Sequence, residues 1–181
     1  MMHSGDSVPR AGSDWVHGRA GKDTIYGYSG DDTLHGGAGA DFIEGGWGVD
    51  ILKGGGGKDT LVWSPTDTRI AGGRGVDRLI AENGGLDLRD VEKGMLTDIE
   101  IIDMREDNRS VTGADPRDKL TLTKADLLAI SSTTDTLKVI GERGDSVDIV
   151  GRFKDLGVSG RFHQYKLGDG TLLVETDVIV R

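Results

Sequence analysis

The sequence predicts an all-β chain: a coiled, repeat-built stretch over 14–80, a short tail (1–13) before it, and a mostly-β unit over 81–181 after it. Three observations carry this reading. From Gly18 onward, glycine recurs with a nine-residue period. An aspartate and an aliphatic residue hold fixed places within each period. Beyond Ile80, short apolar or alternating runs separated by turn residues take over.

Written in nines from Gly18, the chain reads GRAGKDTIY, GYSGDDTLH, GGAGADFIE, GGWGVDILK and GGGGKDTLV. Glycine fills positions 1 and 4, aspartate position 6, and Ile or Leu position 8 of all five units. A weaker unit, PRAGSDWVH, begins at Pro9 and keeps Gly12, Asp14 and Val16. After Val62 the unit WSPTDTRIA keeps only Ile70 in phase, and GGRGVDRLI from Gly72 returns in full register. Positions 1 to 6 supply the glycines of a tight turn, where φ > 0 and close backbone approach are needed. Positions 7 to 9, such as Thr-Ile-Tyr and Thr-Leu-His, make three-residue strands with the middle side chain turned inward. The predicted inward column is Val16, Ile25, Leu34, Ile43, Leu52, Leu61, Ile70 and Leu79.

This nonapeptide, G-G-x-G-x-D-x-U-x, resembles that of the RTX (repeats-in-toxin) family of secreted bacterial proteins, a calcium-binding β-helix repeat. The resemblance implies a parallel β-roll in which each unit makes one turn and one short strand, two units completing an 18-residue coil. Units one coil apart then stack at about the 4.8 Å strand spacing. Asp23, Asp41, Asp59 and Asp77 form one column, and Asp14, Asp32 and Asp50 the other. Like charges at that spacing repel by about 1–3 kcal/mol per pair at effective dielectrics of about 80 to 20, so the columns need a cation. Calcium suits them, because it takes six to eight oxygens from carboxylates and backbone carbonyls in flexible geometry. The candidate ligands are the seven aspartates with turn carbonyls of Gly18, Gly21, Gly27, Gly30, Gly36, Gly37, Gly39, Gly45, Gly46, Gly48, Gly54, Gly55, Gly57, Gly72, Gly73 and Gly75. Neighbours within a column define about five ions, between Asp23/Asp41, Asp41/Asp59, Asp59/Asp77, Asp14/Asp32 and Asp32/Asp50. The off-pattern unit has Thr68 where aspartate belongs, with Asp67 beside it, and no sixth site is assigned there.

Composition narrows the function classes. With 30 glycines in 181 residues but only three prolines and no Gly-X-Y period, the chain is not collagen. A disordered glycine linker would not hold aspartate and an aliphatic residue in phase. The absence of cysteine removes disulfides, thiolate catalysis and Cys-ligated metals. A net charge of −9 disfavours nucleic acid and anionic membrane surfaces, no apolar run reaches membrane-span length, and the start lacks the apolar core of a signal peptide. His3, His17, His35 and His163 form no His-Glu-x-x-His, and neither a Gly-x-Ser-x-Gly elbow nor a phosphate-binding loop occurs. The chain therefore reads as non-catalytic. Tyr28, Trp47 and Trp63 offer faces for a sugar ring, although isolated surface aromatics are the plainer reading.

In the second half, strands are predicted at 86–88, 99–104, 119–122, 137–140, 147–150, 162–167, 171–175 and 178–180, with a tight hairpin at Asp169-Gly170. Thr123 reads as the N-cap of one helix running from Lys124 to Ile130. An open roll needs a terminal cap, which this unit is placed to supply. Leu96-Thr97-Asp98-Ile99-Glu100-Ile101-Ile102-Asp103, Leu120-Thr121-Leu122 and Gly144-Asp145-Ser146-Val147 resemble the C-terminal segment of large bacterial RTX adhesins. That resemblance implies a type I secretion signal at the C-terminal end. The ending Asp177-Val178-Ile179-Val180-Arg181 is similar to the acid-plus-three-apolar ending of type I-secreted proteases and lipases, departing from it at Arg181; it reads equally as a final strand. The reading is a calcium-binding module of a secreted or cell-surface exoprotein, adhesin- or toxin-like, whose partners are calcium, the type I secretion apparatus and a cell-surface or carbohydrate ligand. The alternatives are the C-terminal tail of a secreted protease, lipase or epimerase, and a calcium-dependent carbohydrate-binding module.

Overall fold

The computed structural model describes residues 12–81, 86–105, 119–131, 134–143 and 145–181. Most of the tail, the Pro9 start of the weak first unit, His3 and Gly144 lie outside the described residues. The chain divides into two compact units, Met1–Leu79 with Gly94–Ile99, and Ile80–Lys93 with Glu100–Arg181.

The first unit is a parallel β-roll. Its strands are β1 (Trp15–Ala20), β2 (Thr24–Ser29), β3 (Thr33–Gly39), β4 (Phe42–Trp47), β5 (Ile51–Gly57), β6 (Thr60–Val62), β7 (Arg69–Gly75), β8 (Arg78–Ile80) and β10 (Leu96–Thr97). Alternate strands fall into two stacks, β1-β3-β5-β7-β10 and β2-β4-β6-β8. Pairing is parallel and in register one coil apart: Ile25 lies beside Ile43, Leu34 beside Leu52, Leu52 beside Ile70. The full-length strands span six or seven residues, not three, because pairing runs on into the turn: Arg19 faces Gly37 and Ala20 faces Ala38. Inward positions therefore alternate aliphatic and glycine, as in Ile25 and Gly27, and the glycine lets backbone pack where a side chain would not fit. Position 2 sits at positive φ even where it is not glycine, at Arg19 (φ 85) and Tyr28 (φ 70).

Ile25, Leu34, Ile43, Leu52, Leu61, Ile70 and Leu79 are all buried, each contributing about 1.5–3 kcal/mol of apolar transfer energy. Val16 is only half-buried, since β1 is the end strand of its stack. At the other end the column does not stop with the repeat. Leu96 pairs with Ile70 and Thr97 with Ala71, so a glycine-free segment adds one more rung where Leu88 would have stood by phase.

The second unit contains β9 (Leu86–Asp87), β11 (Ile101–Asp103), β12 (Lys119–Thr123), α1 (Lys124–Ile130), β13 (Thr136–Ile140), β14 (Ser146–Val150), β15 (Lys154–Ser159), β16 (Phe162–Leu167), β17 (Gly170–Glu175) and β18 (Ile179–Val180). Here too the chain alternates between two parallel stacks, β9-β12-β14-β18 and β11-β13-β17. Among the described residues the antiparallel pairings are those of β16, with β15 on one side and β17 on the other. Thr123 caps α1 as predicted: its hydroxyl accepts from the Asp126 amide (3.3 Å) and the Asp126 carboxylate accepts from the Thr123 amide (2.7 Å). The hairpin turn falls one residue before its predicted place. Leu167 pairs with Gly170, leaving Gly168 (φ 63) and Asp169 in the turn. Gly170 is instead needed inside the strand, where a Cβ would come within 2.3 Å of Leu127 in α1.

Candidate metal centre

Each repeat turn brings its position-6 aspartate inward. Oδ1 then accepts a hydrogen bond from the backbone amide of the aspartate one coil earlier: Asp14 to Asp32 (2.7 Å), Asp23 to Asp41 (2.9 Å), Asp32 to Asp50 (2.8 Å), Asp41 to Asp59 (2.9 Å) and Asp59 to Asp77 (2.9 Å). The two columns read from the sequence are thus physical ladders. Asp23, Asp32, Asp41, Asp50, Asp59 and Asp77 are buried, whereas Asp14, at the first rung, is exposed.

The second oxygen of these carboxylates sets the chemistry. Oδ2 of Asp23, Asp32, Asp41, Asp50 and Asp59 is buried and receives no hydrogen bond. A buried carboxylate oxygen without a donor or cation costs several kcal/mol, of order. Burial, the largest influence, accordingly pushes the Asp32, Asp41, Asp50 and Asp59 carboxyls above the usual range, against the lowering effect of the backbone donor.

The position-1 glycines show where those oxygens point. A Cβ on Gly18 would lie 2.6 Å from both Asp23 Oδ2 and the Gly36 carbonyl oxygen. On Gly27 it would meet Asp32 Oδ2 (2.3 Å) and the Gly45 carbonyl (2.4 Å); on Gly36, Asp41 Oδ2 (2.4 Å) and the Gly54 carbonyl (2.8 Å); on Gly54, Asp59 Oδ2 (2.4 Å) and the Gly72 carbonyl (2.5 Å). A carboxylate of one coil and a carbonyl of the next thus converge beside a residue that has no side chain. At positions 2 and 4 the carbonyls of Gly21, Gly30, Gly37, Gly39, Gly55 and Gly57 occupy the place a Cβ would take on the glycine one coil on, and Gly46, Gly48, Gly73 and Gly75 face such a carbonyl.

Among the described residues no three His, Cys, Asp or Glu side chains gather at one point. The donors are one or two carboxylates with main-chain carbonyls, an all-oxygen set suited to a hard cation rather than a transition metal. The buried unpaired oxygens and the cradles at position 1 both fit calcium.

Two participants escape the nonapeptide phase. Asp98 places its carbonyl 2.0 Å from the Cβ position of Gly72, beside Asp77 Oδ2 (2.7 Å), so Asp77 is not the end of its column. Asp67 is 3% exposed, and its carboxyl is pushed up to about 7, chiefly by burial and further by the charge of Asp50. Of the described histidines, His17, His35 and His163, none is fully buried. His17 and His35 stack at position 9 with ring centroids 4.4 Å apart, and burial, then His17 and Lys53, lowers the His35 pKa. In the other unit His163 pairs with Asp155 at 2.8 Å.

Comparison with known families agrees with this geometry. Residues 10–43 and 26–61 match the RTX calcium-binding nonapeptide repeat (4 copies). No curated protein matches the chain.

Proposed function

We propose that this chain, whose residues 10–61 are RTX calcium-binding nonapeptide repeats, is a non-catalytic calcium-folded module of a bacterial exoprotein exported by a type I route, adhesin- or toxin-like in role, and that it orders outside the cell. One observation carries the reading: five buried aspartate oxygens, one in each of five successive turns, lack any donor. Such a roll stacks carboxylates that only a cation compensates, so closing it and filling it are one event. Asp23, Asp32, Asp41, Asp50, Asp59 and Asp77 hold the ions with the carbonyls of Gly36, Gly45, Gly54, Gly72 and Asp98. When bound, calcium supplies the positive charge and the flexible oxygen coordination that these ladders lack. The low free calcium of a cytosol leaves the repeats open for export, and the higher level outside closes them.

Far-UV circular dichroism of the full chain tests this. In chelator the signal of the first unit is weak; millimolar calcium produces a cooperative gain of β signal, and magnesium, which prefers a rigid octahedron and keeps its water, substitutes poorly. A chain equally folded in chelator and in calcium overturns the reading.

A further inference from the structure

The off-pattern unit WSPTDTRIA lacks glycine and has Thr68 in the ligand phase, yet its backbone rejoins the ladder one residue early. In the regular units the amide following the aspartate donates to the aspartate carbonyl one coil before: Thr33 to Asp14, Phe42 to Asp23, Ile51 to Asp32, Thr60 to Asp41 and Arg78 to Asp59. By phase, Arg69 should donate to Asp50. Thr68 does so instead, through its amide (3.0 Å) and its hydroxyl (3.2 Å). Thr68 thus makes the hydrogen bond of a position-7 residue, with Asp67 just before it, the same Asp-Thr dipeptide found at Asp23-Thr24, Asp32-Thr33 and Asp59-Thr60. From Arg69 the strand is in regular register, Arg69 beside Ile51 and Ile70 beside Leu52.

A different turn delivers this aspartate. The Asp67 amide donates to the Ser64 carbonyl (3.1 Å), and Asp67 Oδ2 accepts from the Ser64 amide (3.0 Å), closing a Ser-Pro-Thr-Asp turn without glycine. Its other oxygen, Oδ1, is buried without a well-formed hydrogen bond, the nearby donor being the Asp50 amide, and Oδ2 of Asp50, a residue with 0% exposure, is buried with no donor. Two buried carboxylates from successive coils of one column each retain an oxygen without a well-formed hydrogen bond.

We propose that Asp50 and Asp67 form a further divalent-cation site that extends the second column past the regular repeat, with calcium as its ligand. The site rests on the calcium reading above but uses a turn that the nonapeptide motif does not contain. The Ser64-Pro65-Thr66-Asp67 turn thereby keeps the column of ions continuous across the interruption.

The test compares the full chain with Asp67→Asn, which keeps an oxygen for the Ser64 amide. Native mass spectrometry in calcium shows one bound ion fewer for Asp67→Asn, at an unchanged far-UV spectrum in saturating calcium. An equal ion count in the two proteins overturns the site while leaving the calcium reading intact; a parent protein that binds no calcium overturns both. Should Asp67→Asn fail to fold, anomalous diffraction from calcium-grown crystals of the parent decides. A peak between Asp50 and Asp67 supports the site, and a filled Asp32/Asp50 interval with nothing beyond it refutes it.

Discussion

Two glycines of one strand, Gly54 and Gly56 in β5, give a sharp test of the cradle. Neither is at positive φ, so alanine is conformationally acceptable at both, and only its methyl group matters. On Gly54 that methyl falls 2.4 Å from Asp59 Oδ2 and 2.5 Å from the Gly72 carbonyl, both far inside van der Waals contact. The carbonyl is fixed in β7 and the carboxylate is tethered through Oδ1 to the Asp41 amide (2.9 Å), so one of them must be displaced. Overpacking of this kind costs about 1–3 kcal/mol, and losing the charged hydrogen bond costs about 1.5–3 kcal/mol more. Since about 1.4 kcal/mol is tenfold in an equilibrium constant, Gly54→Ala should lower the folding constant at fixed calcium by well over about tenfold; shared among about five ions bound together, that raises the calcium midpoint at least about two-fold. On Gly56 a Cβ meets nothing within 4 Å; Gly56→Ala should leave the midpoint unchanged or stabilise by about 0.4–1 kcal/mol through the unfolded chain. Calcium titrations followed by circular dichroism and by calorimetry read both. Equal shifts for the two variants, or a Gly54→Ala protein indistinguishable from the parent, would refute the claim that carboxylate and carbonyl converge there.

Without metal the roll should prefer acid. Carboxyls held above the usual range when folded keep protons that the unfolded chain releases, so the stability they contribute is present at low pH and is lost as pH rises toward neutrality, with Asp67 at about 7 marking the upper end of the window. Metal-stripped protein should therefore show more β signal and a higher Tm near pH 5 than at pH 8, and the calcium midpoint should rise as pH falls; the opposite order in the metal-free protein would contradict the burial of those carboxyls. Export offers a separate check. Asp177 is exposed, whereas Val178 is buried and β18 pairs with β14, so Asp177→Asn leaves the strand intact; type I secretion should fall while the purified variant folds at the same calcium midpoint, and unchanged export would leave the terminus as a strand alone.

The legible parts of this fold are those that the sequence repeats. Asp23, Asp41 and Asp59 could be stacked once the RTX resemblance set two units to a coil, because a fixed phase of glycine, aspartate and aliphatic residue is a local code written many times over. What the code cannot carry is a displaced copy. Asp67 looked vacant as a ligand because counting in nines lands on Thr68; the Asp-Thr dipeptide, shared with three regular turns, was the signal available. Asp98 left no such trace, since it reaches Gly72 only after a loop of different length restores the register through Leu96 and Ile70.

The second unit fails differently. Most of its strands follow from alternation, and Thr123 announced α1 through the capping box it forms with Asp126. Alternation says which side chains turn inward but nothing about which strand lies alongside or in which direction. Parallel pairing requires a crossover, and its partners are chosen by contacts remote in sequence, such as Leu122 with Ile149 and Leu137 with Leu172. The exposed strand β15 lacked even alternation: a bulge between Asp155 and Gly157 breaks its period, and the hairpin pairing with β16 holds it in place. Where the roll declares its coil through glycine, the second unit builds parallel stacks from packing alone.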